Sequence, residues 1–249
     1  MKRAIALFVL LFLAPIGVNS AIIERTGESW MTARRDATGL APDPATTPEA
    51  VVQVYAARAF DWRGIFSVHT WIVVKPTGAD AYTRYEVMGW GVARGVPSIR
   101  INRMGPDNYW FGSRPTVLLD RRGPGVDALI EKIKAAVQSY PYPYPDFYRT
   151  WPGPNSNTFI AHIAREVPEL GLEMPNNAVG KDFLTGTIVA PSPSGTGFQL
   201  SLFGLAGILL AVDEGIEVNL LGLSFGIDVT DPALKLPGIG RIGLVPGSW

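Results

Sequence analysis

Two Leu- and Gly-rich runs, Phe198 to Ala211 and Glu217 to Val229, are separated by Val212-Asp213-Glu214-Gly215 and dominate the last third of the chain. Each interior glycine costs a helix roughly 1 kcal/mol relative to alanine. The stretch Leu200 to Val212 is also too short to cross a bilayer as a helix, which takes about 20 residues. The runs therefore read as one long β-hairpin that turns at Asp213-Glu214-Gly215, with glycines marking bulges. Residues 198–229 are too apolar to stand as an exposed ribbon. One face is expected on the core, and the other under the rigid tail Pro232 to Pro246 or against a membrane. The Leu/Gly clusters Leu202 to Leu205 and Leu220 to Leu223 are too degenerate to define a repeat.

The other end of the chain sets the compartment. Lys2 and Arg3 precede Ala4 to Ile16, which has no polar residue, and Ser20 and Ala21 supply small residues beyond it. Charge, apolar core and small-residue exit are the parts of a secretory signal. Residues 1–23 are expected to be a signal peptide or signal anchor, which places the protein in the cell envelope, periplasmic or membrane-anchored. An exported chain is free to form disulfides, yet it contains no cysteine. Stability must come from packing, and thiolate catalysis, Cys-ligated zinc and iron–sulfur clusters are excluded. The 22 basic and 22 acidic residues balance, which argues against nucleic acid, whose binding needs excess Lys and Arg.

Between the two ends, 24–49 reads as a Pro-, Ala- and Thr-rich tether, 50–190 as an α+β core, and 191–249 as the hairpin and tail packed on it. Val51 to Tyr55, Ile65 to Lys75, Tyr82 to Trp90 and Pro97 to Arg103 are expected strands of an antiparallel sheet. Val126, Leu129, Ile130, Ile133 and Val137 form one stripe of a helix within Pro124 to Tyr140. Tyr140 to Pro145 alternates Tyr with Pro and must run extended, because alternate N–H groups are missing. Asn155 is expected to cap a second helix with Phe159, Ile160, Ile163 and Val167 on its inner face.

Two histidines make the search for chemistry short. Period-two alternation puts Phe66, Val68, Ile72 and Val74 on one strand face and Ser67, His69, Trp71 and Lys75 on the other. Ser156 opens the Asn155-capped helix, where free N–H groups and the positive dipole end favour an oxyanion. A serine nucleophile needs a base. His162 lies on another face of the same helix, which leaves His69. Each residue also has a structural reading: His69 as a hydrogen-bonded strand residue, Ser156 as a capping residue, and Glu86 as the partner of Arg84 in a solvated ion pair. Gly238-x-Gly240-x-x-Gly243 matches a dinucleotide fingerprint but leaves no room for the helix that must follow. Asp213, Glu214 and Glu217 lack calcium-loop spacing, and two histidines do not make a zinc site. No metal or cofactor is expected.

Long, specific landmarks resemble a bacterial family catalogued only as a domain of unknown function. They are Val68-His69-Thr70-Trp71-Ile72, Trp151 to Phe159, Gly180-Lys181-Asp182, Pro193 to Gly197 and Pro232 to Gly238. The order of a strand histidine followed by Asn155-Ser156-x-x-Phe159 also resembles the circularly permuted papain-like fold of lecithin:retinol acyltransferase-like proteins. That resemblance implies His69 as base, Glu86 as the residue orienting it, and Ser156 in place of the family's nucleophilic cysteine. Asn155, Asn157, Trp71 and Trp151 would form the oxyanion site or pocket. Two functions stay open at this level. One is a hydrolase or acyltransferase acting on amide or ester bonds of cell-wall peptides or lipids. The other is an inactive envelope protein that binds such a ligand or serves a structural role.

Overall fold

The computed structural model describes residues 2–23, 29–184 and 186–243. The start of the expected tether, 24–28, and the end of the expected tail, 244–249, lie outside the described residues. The fold is α+β, with two antiparallel sheets and a few helices.

The first sheet has the order β4-β3-β2-β1-β5. Its strands are β1 (Val51–Arg58), β2 (Val68–Lys75), β3 (Thr83–Val87), β4 (Ile99–Ile101) and β5 (Thr116–Arg122). β1 and β2 pair along their full length, from Val51↔Lys75 to Arg58↔Val68. Both strands are buried on both faces, so their apolar residues run together instead of alternating with polar ones. One face carries Val52, Val54, Ile72 and Val74 and packs under α3 (Val126–Gln138) and α4 (Ser156–Glu166). The opposite face carries Tyr55, Trp71 and Val73, joined by Met88, Trp110 and Phe111.

That second face explains a difference from the expected tether. From residue 29 onward the segment is a strap on the Tyr55–Trp71 face, with Ala33 buried and Leu40 packed against the cluster. It is pinned by Asp107, whose carboxylate accepts from the Leu40 N–H at 2.6 Å and whose carbonyl accepts from Thr38 Oγ1 at 2.7 Å. An apolar sheet face needs a cover, and a Pro-rich strap supplies one without helix or strand.

The second sheet is a seven-stranded meander, β12-β11-β10-β9-β8-β7-β6. Its strands are β6 (Val189–Pro191), β7 (Gly197–Leu202), β8 (Ala206–Ala211), β9 (Gly215–Leu220), β10 (Leu223–Asp228), β11 (Ala233–Leu236) and β12 (Gly240–Gly243). The expected hairpin across 212–215 is its β8–β9 pair, Ala206↔Leu220 to Ala211↔Gly215. Each apolar run folds back once more, at Phe203-Gly204 and Leu221-Gly222. These residues have φ of 54° and 70°, and 54° and 79°. Two successive left-handed residues fit the twist of a tight hairpin turn, so the loose Leu/Gly pattern marks two turns, of three residues after Leu202 and of two after Leu220. The tail does not cover the sheet as expected. Through residue 243 it forms β11 and β12, because Gly238 and Gly240, at φ of 73° and 106°, return the chain into the ladder.

The register shows which face of this sheet turns inward, a point the residue pattern alone leaves open. Directly paired residues share a face, so the register groups Phe198, Leu210, Ile216, Ile227, Leu234 and Ile242 on one side. Every strand position on that side is apolar, and most are exposed. The side turned onto the first layer carries Gln199, Ser201, Glu217, Asn219, Ser224 and Lys235, all buried. Their charges are paired. Lys181 Nζ lies 3.0 Å from Asp182 and 2.7 Å from Glu217, and Lys235 Nζ lies 3.2 Å from Glu217 and 2.6 Å from Glu173.

The N-terminal apolar segment is helical: α1 (Lys2–Phe8), a π-helical turn at Val9–Leu13, and α2 (Ala14–Ile22). Ile5–Ile22 has a mean hydropathy of 2.3, compatible by length and composition with a signal sequence or a membrane anchor. Phe12 packs on Phe225 of β10, with ring centroids 6.3 Å apart. The buried Asn19 amide donates to the Ile65 carbonyl at 2.6 Å and the Gly238 carbonyl at 3.1 Å.

Candidate functional site

β1 and β3 end, and β2 begins, at one rim of the first sheet. A cavity of about 550 Å³ lies there, between the sheet rim, the start of α4 and the β9–β10 turn. Phe60, Trp62, Phe66, Trp110, Tyr148 and Trp151 form most of its wall. The polar side chains reaching it are few, among them Arg63, Ser67, His69, Thr150 and Ser156.

α4 is aimed at the cavity by its cap. Asn155 Oδ1 accepts from the N–H groups of Asn157 at 2.9 Å and Thr158 at 3.2 Å, and the Thr158 hydroxyl accepts in return from the Asn155 N–H at 3.1 Å. The Asn155 amide also donates to the Thr150 and Val179 carbonyls, each at 3.0 Å. Asn157 donates to the Val68 carbonyl at 2.9 Å and accepts from Thr70 Oγ1 at 2.9 Å, which locks the helix start to β2. Asn155 and Asn157 thus hold the helix in place. The Asn157 and Thr158 N–H groups already have a partner in the cap.

His69 and Ser156 both line the cavity, but they reach it from different sides. Thr70 faces α4, and His69, its neighbour in the strand, projects from the other face of the sheet into the Trp71 cluster. No hydrogen bond joins the Ser156 hydroxyl to the His69 ring. His69 stacks on Trp110 with centroids 3.6 Å apart, and its Nε2 lies 3.1 Å from Glu86 Oε2. Burial lowers the ring's pKa, and the Glu86 carboxylate only partly opposes it. Burial alone would raise the Glu86 carboxyl, but the hydrogen bond to His69 and the charge of Arg84 bring it below its ordinary value. A neutral ring beside a carboxylate donates from Nε2, which leaves Nδ1 as its acceptor.

Glu86 and Arg84 are paired at 2.7 Å, and the pair is buried instead of solvated. β3 is covered on both faces, and the Arg84 guanidinium lies 4.1 Å over the Trp71 ring. Trp71 itself is fully buried, donates to the Pro106 carbonyl at 2.8 Å and does not line the cavity. Trp151 stands half-exposed at the rim and donates from its indole to the Leu221 carbonyl at 2.8 Å. Sequence reading missed Trp110, Tyr148, Phe60 and Trp62. Their density in aromatics was visible, but the topology that gathers them was not.

Beside the cavity, sharing Met88 and Trp90 with it, runs a groove of about 990 Å³. Arg35, Arg94, Arg100 and Arg103 line this groove, and among the described residues no acidic side chain stands in its walls.

A family model described as "Protein of unknown function (DUF3750)" matches residues 49–183. No curated protein and no solved structure matches the chain. The match covers the first sheet, α3, α4 and the Lys181-Asp182 pair, and stops short of the meander.

Proposed function

Starting from a chain that belongs to the DUF3750 family of unknown function, we propose that it is an envelope protein that binds an anionic amphiphile without cleaving it. The observation that carries this reading is the aromatic cavity next to a groove lined by four arginines. A deep apolar wall with a few polar groups suits an acyl chain or similar tail. Guanidinium groups recognise a carboxylate or phosphate head. Leu221 and Leu223 close one side of the cavity, so an apolar tail entering there passes over apolar surface.

A second reading is favoured by one observation: Ser156 and His69 line the same cavity, as the permuted papain-like resemblance implies for an acyl-transfer pair. The capped helix N–H groups and the engagement of His69 with Glu86 and Trp110 count against it. The two readings separate in one experiment on the full chain. Binding of a fluorescent fatty acid should survive Ser156→Ala and weaken at least tenfold in Ala59→Trp, which fills the cavity. A fluorophosphonate should leave the protein unlabelled. Labelling of Ser156 that disappears in His69→Ala would replace the binding reading with the hydrolase.

A further inference from the structure

The meander turns its polar face inward and its apolar face outward. A sheet packed in water does the opposite, burying apolar side chains and leaving polar ones wet. Among the strand residues of the apolar face, Phe198 and Ile242 are half exposed, at 52% and 50%, and Leu202 and Ile208 nearly so. Contiguous apolar surface spread over seven strands exceeds what a monomeric soluble protein leaves in water.

Three structural features identify what covers it. First, the apolar helix α1–α2 rests on this same face, through Phe12 on Phe225, whose cross-strand partner Val218 belongs to the apolar side. The helix leaves Leu10, Leu13 and Val18 exposed, so helix and sheet present one continuous apolar surface. Lys2 and Arg3 at the far end of the helix suit anionic lipid headgroups. Secondly, the backbone of each inner strand is paired on both sides within the ladder. The face therefore meets lipid without unsatisfied N–H or C=O groups, whereas the edges β6 and β12 limit it to shallow, face-down contact. Thirdly, the Trp151 indole sits at the rim beside Leu221, the position that tryptophan favours at a membrane–water interface.

We propose that the outer face of the meander is seated on a lipid bilayer, held there by the N-terminal helix. The proposal shares Trp151 and Leu221 with the cavity wall but does not depend on a bound ligand, because neither His69, Ser156 nor the arginine groove contributes to it.

The absence of cysteine makes the test direct. Single cysteines at Leu210, Ile216 and Ile208 replace exposed side chains, and Lys132→Cys on the outside of α3 serves as the control. The full chain, labelled with an environment-sensitive fluorophore, is reconstituted in vesicles of phosphatidylethanolamine and phosphatidylglycerol. The three sheet labels should shift to the blue and be quenched several-fold more strongly than the control by lipids bearing a shallow nitroxide. Aqueous iodide should quench them less than the control. Sheet labels as open to iodide as Lys132→Cys would overturn the proposal. Labels shielded from both quenchers, in a protein that sediments as a dimer, would overturn it in favour of a second copy on the same face.

Discussion

Asn155 shows how much one side chain can fix. Its oxygen satisfies two helix N–H groups, and its amide ties the α4 start to the Thr150 and Val179 carbonyls. Losing such a cap costs about 1 kcal/mol, and the Thr150 carbonyl left without its donor raises the cost further. Asn155→Ala should therefore lower the denaturant midpoint by more than Ser156→Ala, whose hydroxyl caps nothing. A second residue-scale expectation concerns His69 and His162, both held below the ordinary histidine pKa by burial. Below about pH 6.5 the unfolded chain takes up these protons and the folded one resists. Their stability contribution is thus complete above that pH and falls away as pH drops toward the lowered values. Glu173 and Glu214, raised by burial, act in the opposite direction. Melting temperatures between pH 5 and 7.5 should accordingly rise less with pH in a His69→Gln, His162→Gln double variant than in the parent chain. Asn155 was legible from sequence, because Asn-x-x-Thr ahead of an apolar stripe is a local signal. The stacking of Trp110 on His69 was not, because nothing local links residues so far apart in sequence.

At the scale of elements, the alternation of Phe198, Leu200 and Leu202 with Gln199 and Ser201 is plain in the sequence. Alternation identifies two faces but does not say which one turns inward. What decides it here is charge. Glu217 bridges Lys181 and Lys235, which are buried. Removing one partner of a buried pair costs about 3–5 kcal/mol, since the other is left uncompensated. Glu217→Ala should destabilise the protein by that order in a urea titration. Lys235→Ala should be comparably damaging, and combining the two should cost less than the sum. Turn geometry gives another check. A Cβ on Gly215, at φ of 72°, would meet the Ile227 carbonyl oxygen at 2.3 Å. Gly215→Ala should therefore destabilise more than Gly78→Ala, where the same left-handed backbone stands in open space.

Across the whole molecule, the family match ends at residue 183 but the folded unit does not. Lys181 and Asp182 stand at the last matched positions, and the groups that complete them, Glu217, Gln199, Asn219 and Ser224, all come from the meander. Sequence reading drew the boundary near 190 from a change of composition. Composition registers where Leu and Gly accumulate, not where charges find their partners. The interlock also limits how such a chain can drift over generations. A neutral change at 217 is harmful while Lys181 and Lys235 remain, and a neutral change at either lysine is harmful while Glu217 remains. The two regions are therefore expected to vary jointly. A relative that keeps the strand-and-helix region but lacks this meander would need either a replacement counter-charge or an uncharged residue at the position of Lys181.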